Sequence, residues 1–188
     1  RFVVSNPSTY TYFDSRRWNA SVAGGAGAFV PMPAEVESAC SDAGQYFYQL
    51  AGNVPPFVAR SDPRKLITNY MAKDVWYLPG NNDTCNEDEL AVQGCDSHDL
   101  DRSCGAMAQG RFRRERAQYY FRYVQNYAAD AILHTDAHTG QMQSADAQQA
   151  NHKLVLVENV GHDHTLVFLS RVGLAAIFDL PGMDTVKD

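Results

Sequence analysis

Two segments of the sequence end in side chains suited to moving a proton. Val75-Trp76-Tyr77-Leu78-Pro79-Gly80 runs into Asn81-Asn82-Asp83, and Leu154-Val155-Leu156-Val157 runs through Glu158-Asn159-Val160-Gly161 into His162, 79 residues beyond Asp83. Each is an apolar run, then a glycine, then a titratable group. In acid–base chemistry, a neutral imidazole takes a proton from a hydroxyl nucleophile and returns it to the leaving group. A carboxylate behind it fixes the tautomer and stabilises the imidazolium that forms. By turn preference alone, Asp83 reads equally well as an ordinary turn aspartate beside two asparagines. Asp163 reads as a helix cap. His164 lies two residues from His162, so only one of the two is expected to point inward; His164 is expected at the start of the following helix.

Other clusters carry less chemistry. His134 and His138 have the four-residue spacing of a helical metal pair but lack the glutamate of the zinc-protease motif and sit in a polar segment, so a solvated loop is expected. Asn86-Glu87-Asp88-Glu89 with Asp96, Asp99 and Asp101 lacks the spacing and central glycine of a calcium loop and reads as acidic surface. No metal and no cofactor is implied. Arg111 to Arg116 reads as the outer face of a helix. Cys40, Cys85, Cys95 and Cys104 form no CxxC pair and fit no zinc template, so disulfides are expected. Sequons at Asn19 and Asn82 lean the same way, towards N-glycosylation and a secreted protein in an oxidising compartment, whereas Pro7 disqualifies Asn6.

The elements that must position these residues follow from the apolar pattern. Phe2 to Ser5, Asp74 to Leu78 and Lys153 to Val157 have the composition of buried strands. Ser61-Asp62-Pro63 starts a helix with Leu66, Ile67, Tyr70 and Met71 as its buried stripe. Phe112 to Ala129 places Tyr119, Tyr120, Tyr123, Val124 and Tyr127 at helical spacing, and Thr165 to Phe178 forms a third helix. Strands separated by helices imply a parallel α/β sheet, covered on both faces because its runs are continuously apolar. Ligands sit at the carboxyl edge of such sheets. Residues 19 to 60, rich in Gly, Ala and Pro, read as a loop-rich cap over that edge, and residues 130 to 151 as a polar loop. Three strands alone would leave an open inner edge, so further strands are expected. With no initiator Met before a strand-like start, the chain is expected to begin inside a longer, processed precursor.

With 45% hydrophobic residues the 188-residue chain is globular and reads as part of a single domain. Its net charge of −6 argues against a nucleic-acid or anionic-membrane surface, and no run approaches the ~20 apolar residues of a membrane span.

The motifs together resemble the secreted members of the α/β-hydrolase superfamily. Tyr77-Leu78-Pro79-Gly80-Asn81-Asn82-Asp83-Thr84 is similar to the acid loop and Val160-Gly161-His162-Asp163-His164 to the histidine loop. Residues 1 to 10 resemble the strand and turn that follow the nucleophile helix, and residues 100 to 110 with Arg113 to Arg116 resemble the segment between acid and histidine. The resemblance implies the C-terminal portion of a serine hydrolase, with Asp83 as orienting acid and His162 as base, acting on an acyl substrate with an ester or amide bond. No Gly-x-Ser-x-Gly occurs in the chain, so the nucleophile Ser and oxyanion donors are expected in an N-terminal half of the same precursor. The alternative is a non-catalytic, hydrolase-like binding or structural assembly protein. Trp18, Tyr46, Phe47 and Tyr48 could line a pocket beneath the cap or simply pack it. Four cysteines allow three connectivities; Cys85–Cys104 with Cys40–Cys95 would close the acid loop and pin the cap over it.

Overall fold

A computed structural model describes residues 1–85, 99–133 and 150–180. The first strand, β1 (Phe2–Ser5), is followed by a hairpin of β2 (Arg16–Asn19) and β3 (Ala28–Pro31). The helices α1 (Ala34–Ala39), α2 (Pro56–Ala59) and α3 (Pro63–Met71) then lead to β4 (Val75–Leu78). Helices α4 (Cys104–Met107) and α5 (Arg113–Leu133) precede β5 (His152–Leu154), and α6 (His164–Leu169) and α7 (Arg171–Phe178) complete the described elements.

β1, β4 and β5 form a parallel sheet in the order β1-β4-β5, with Val3 opposite Trp76 and Trp76 opposite Lys153. All four residues of β4 are buried, as expected for a strand covered on both faces. Val75 and Tyr77 face a layer of tyrosines from α5 and the 10–13 segment, with the Tyr10 and Tyr120 rings stacked 4.5 Å apart. Trp76 and Leu78 face Val167 and Ala176 of the C-terminal helices. Strand alternation therefore sends one strand's side chains into two separate cores.

α3 begins as its sequence requires: the Asp62 carboxylate accepts from the Arg64 N–H at 2.9 Å, and Pro63 occupies the first turn. The third expected helix is two. Ser170 adopts extended backbone (φ −64°, ψ 160°), ending α6, and its Oγ accepts from Gly173 N–H at 3.0 Å to start α7. A Cβ on Gly173 would collide with the Val167 carbonyl and the Phe168 backbone, so glycine permits the close turn between the two helices. α5 runs four residues further than its apolar stripe suggested, through Leu133 and into the expected polar loop. Residues 134–149 of that loop, with His134 and His138, lie outside the described residues.

Within 19–60 the chain holds more regular structure than a loop-rich segment implies: the end of β2, β3, α1 and α2. Arg17, 4% exposed, ties the hairpin to the rest of this segment by donating to the Ala43 and Tyr48 carbonyls, with its guanidinium 4.1 Å from the Tyr12 ring centroid. The cysteines pair differently from the expected arrangement. Cys40, at the end of α1, is bonded to Cys104, the first residue of α4, with Cα atoms 5.4 Å apart. α4 lies against residues 42–48, where Gly105 N–H donates to Asp42 and the Tyr48 ring fills the space a Gly105 side chain would need. This packing, and not closure of the acid loop, brings Cys104 to Cys40. Cys85 is buried and disulfide-bonded; Cys95 and residues 86–89 and 96 lie outside the described residues. Among the described residues no helix is long and apolar enough to cross a membrane.

Candidate active site

The acid loop is built by continued pairing beyond the strands. After β4, Asn81 N–H donates to Val157 O at 2.9 Å and Asn82 N–H to Val160 O at 2.8 Å; the chain then turns, with Asp83 N–H on Gly80 O at 3.1 Å. The Val160 and Gly161 carbonyls occupy the space where a Cβ on Gly80 would sit, so only glycine lets the two loops approach this closely. On the other side, β5 continues to Val157, and Asn159 takes a left-handed conformation (φ 59°) that turns the chain towards the acid loop. Val160 is buried, Gly161 follows, and His162 emerges one residue before Asp163 caps α6 by accepting from Leu166 N–H at 3.0 Å. His164 is the exposed first residue of that helix.

The two loops bring Asp83 and His162 together. His162 Nδ1 lies 3.2 Å from Asp83 Oδ2; the aspartate side chain is fully buried and the imidazole is 26% exposed. An ionised carboxylate can only accept, so Nδ1 carries the proton and Nε2 presents its lone pair. Nε2 has no hydrogen-bond partner among the described residues. A buried carboxylate behind a partly exposed imidazole with its far nitrogen open is an arrangement able to take a proton from a group that approaches Nε2.

The first turn of α5 supports the acid loop. Arg114 N–H donates to Asp83 O at 3.2 Å, which satisfies one of the helix's terminal donors. Its guanidinium donates to Asn81 O at 2.7 Å. Arg113 Nη1 is 3.7 Å from Asp83 Oδ1, with both side chains no more than 1% exposed. Arg116, fully buried, donates to the carbonyls of Gly110, Ser8 and Asp101, and burial holds its guanidinium below its ordinary pKa. Arg113 and Arg116 are thus interior residues and not the outer face their residue type suggested. They extend the buried stripe of Ala117, Tyr120 and Val124 towards the helix start at spacings of three and four, and that periodicity was the signal available in the sequence. A second residue that sequence reasoning missed is Asn6, buried at the end of β1, whose side chain hydrogen-bonds both loops.

The remaining residues singled out in the sequence fall elsewhere. Trp18 packs on Tyr119 and Phe29. Tyr48 donates to Asp101 at 2.7 Å and accepts from Ser103 at 2.8 Å, while Phe47 is 65% exposed. Tyr46 lines a cavity of about 390 Å³ beside Val4, Tyr10, Leu66 and Tyr70, to which neither Asp83 nor His162 contributes. Asn82 is exposed, and Asn19 is half-buried with its Oδ1 accepting from Ser21 N–H.

No protein-family model and no curated protein sequence matches the chain. Among solved structures, it is similar to the poly(3-hydroxybutyrate) depolymerase LpqC from Bordetella parapertussis, with 17% identity and a TM-score of 0.51 over 95% of this chain and 40% of that one. It is also similar to poly(aspartic acid) hydrolase-1 from Sphingomonas sp. KT-1, with 18% identity and a TM-score of 0.51 over 89% of this chain and 41% of that one. The chain therefore spans about two fifths of the length of the structures it matches, and its parallel sheet with crossover helices is the α/β fold of these hydrolase-type proteins.

Proposed function

We propose that this chain supplies the acid, Asp83, and the base, His162, of a serine hydrolase whose nucleophile Ser lies in an N-terminal half of the same secreted precursor. The observation that carries the reading is the contact of 3.2 Å between two side chains delivered by adjacent strand ends, with the acid buried and Nε2 open. The reaction is acyl transfer to water. His162 Nε2 removes the proton of the serine hydroxyl as its oxygen attacks the acyl carbon, and the resulting imidazolium, held by Asp83, returns the proton to the leaving alkoxide or amine. Water then repeats the attack on the acyl-serine with His162 again as base. The names of the two matched structures, a depolymerase and a hydrolase, support a hydrolytic reading, and the Cys40–Cys104 disulfide fits an oxidising compartment.

Hydrolysis of a short acyl ester by the complete protein tests the assignment. His162→Ala and Asp83→Asn are each expected to lower kcat by roughly 10⁴-fold or more with little change in KM, because members of such a triad act as a unit. Unaltered turnover in both variants would remove Asp83 and His162 from the chemistry, and no turnover in the native complete protein would transfer the chain to the other reading, a non-catalytic, hydrolase-like binding or assembly protein.

A further inference from the structure

Three strand ends converge at the Asp83–His162 pair, and the one that supplies neither residue supplies Asn6. It follows β1 directly, is 5% exposed and has φ 43°, a left-handed conformation that asparagine tolerates better than most side chains. Its Oδ1 accepts from Gly80 N–H at 2.8 Å, and its Nδ2 donates to Gly161 O at 3.3 Å. Gly80 opens the acid loop, and Gly161 immediately precedes His162. One amide therefore grips the backbone on both sides of the pair.

The geometry points to Asn6 as a positioning residue that sets the distance and angle between Asp83 and His162. The pair is joined at 3.2 Å, and a hydrogen bond loses its character beyond ~3.5 Å, so a shift of a few tenths of an ångström between the loops is enough to free the imidazole. Backbone bonds also tie the loops, Asn81 N–H to Val157 O and Asn82 N–H to Val160 O; Asn6 adds a side-chain tie from the end of β1 to the residues Gly80 and Gly161. The chemistry is specific to an amide of this length. Aspartate keeps the acceptor for Gly80 but sets a carboxylate oxygen against the Gly161 carbonyl, and glutamine displaces the amide by a methylene. The functional meaning of this inference rests on the proposed roles of Asp83 and His162, but its test reads the pair itself, so either can fail without the other.

The test uses the full chain labelled with ¹⁵N-histidine and compares the His162 ring, assigned by its loss in His162→Ala, with that of Asn6→Gly and Asn6→Asp. Asn6→Gly keeps the left-handed backbone accessible and removes both side-chain bonds; Asn6→Asp keeps the size and removes only the donor to Gly161. The native chain is expected to show the Nδ1–H tautomer with a slowly exchanging Nδ1 proton. Both variants are expected to lose that slow proton and move His162 towards the Nε2–H form, with the His152 ring signals and the near-ultraviolet circular dichroism unchanged. An unchanged His162 signal in folded variants overturns the inference. Loss of the fold in both variants also overturns it, because Asn6 would then hold the fold and not the pair.

Discussion

Asp83 and His162 were legible in the sequence because each follows a glycine at the end of an apolar run, a local signature that needs no knowledge of distant contacts. Asn6 was not, since its two partners lie 74 and 155 residues away and nothing in its neighbourhood distinguishes it from a turn asparagine. Arg113 and Arg116 were misassigned because charge was weighed above position on the helix. Guanidiniums are buried when carbonyls and a carboxylate receive them, and here they do. His152 is a histidine with a structural task. Its Nε2 faces the Tyr70 carbonyl at 3.0 Å, which can only accept, so Nε2 carries the proton. Nδ1 then accepts from Tyr77 OH at 3.0 Å, and Tyr77 accepts from Tyr70 OH at 2.6 Å. Burial pushes the His152 pKa below its ordinary 6.5, which keeps the ring neutral in the folded chain. The unfolded chain therefore binds this proton first as pH falls. Stability from His152 is complete above about pH 6.5 and declines below it until the folded ring protonates, with a slope of at most ~1.4 kcal/mol per pH unit. Urea titrations across this range are expected to show the component in the native chain and its loss in His152→Gln, which can satisfy the same two partners. Equal slopes in the two proteins would contradict the assignment.

At the level of elements, the three parallel strands and the α3 and α5 helices were readable from period and capping, since apolar runs and an Asp-Pro start are local features. The break between α6 and α7 was hidden because Thr165 to Phe178 is apolar throughout, and a single serine cap decides it. The cysteine pairing was beyond sequence reasoning because α4 docks on the 40–48 segment through long-range packing. That disulfide closes a loop spanning 64 residues, for which chain entropy predicts about 4 kcal/mol of stabilisation as an upper figure. The Cys40→Ser, Cys104→Ser double variant is expected to lose about 2–4 kcal/mol in non-reducing urea denaturation. It should keep the His162 ring signals, because the Asp83–His162 contact is made by β4, β5 and α5 and not by α4. A loss below ~1 kcal/mol, or a disrupted pair, would show that the element contacts are apportioned differently.

Across the whole molecule, the sheet places Asp83 and His162 together at the carboxyl end of its strands, where parallel sheets carry their ligand-binding loops. β1 and β5 are the outer strands of the described sheet; Phe2 on β1 is 57% exposed, and Leu169 and Phe178 of the C-terminal helices are 67% and 65% exposed. The fold class was legible because alternating strands and helices leave few arrangements; these 188 residues contain no elbow motif from which a nucleophile could be read. The most direct test is to react the natural, unfractionated protein with a fluorophosphonate probe and to identify by mass spectrometry the labelled residue and every polypeptide that accompanies this one. The account predicts labelling of a serine outside residues 1–188, in a Gly-x-Ser-x-Gly sequence physically associated with this chain, and loss of labelling in His162→Ala. Absence of labelling, with another residue at the position of that serine, would contradict it and leave Asp83 and His162 as a structural pair.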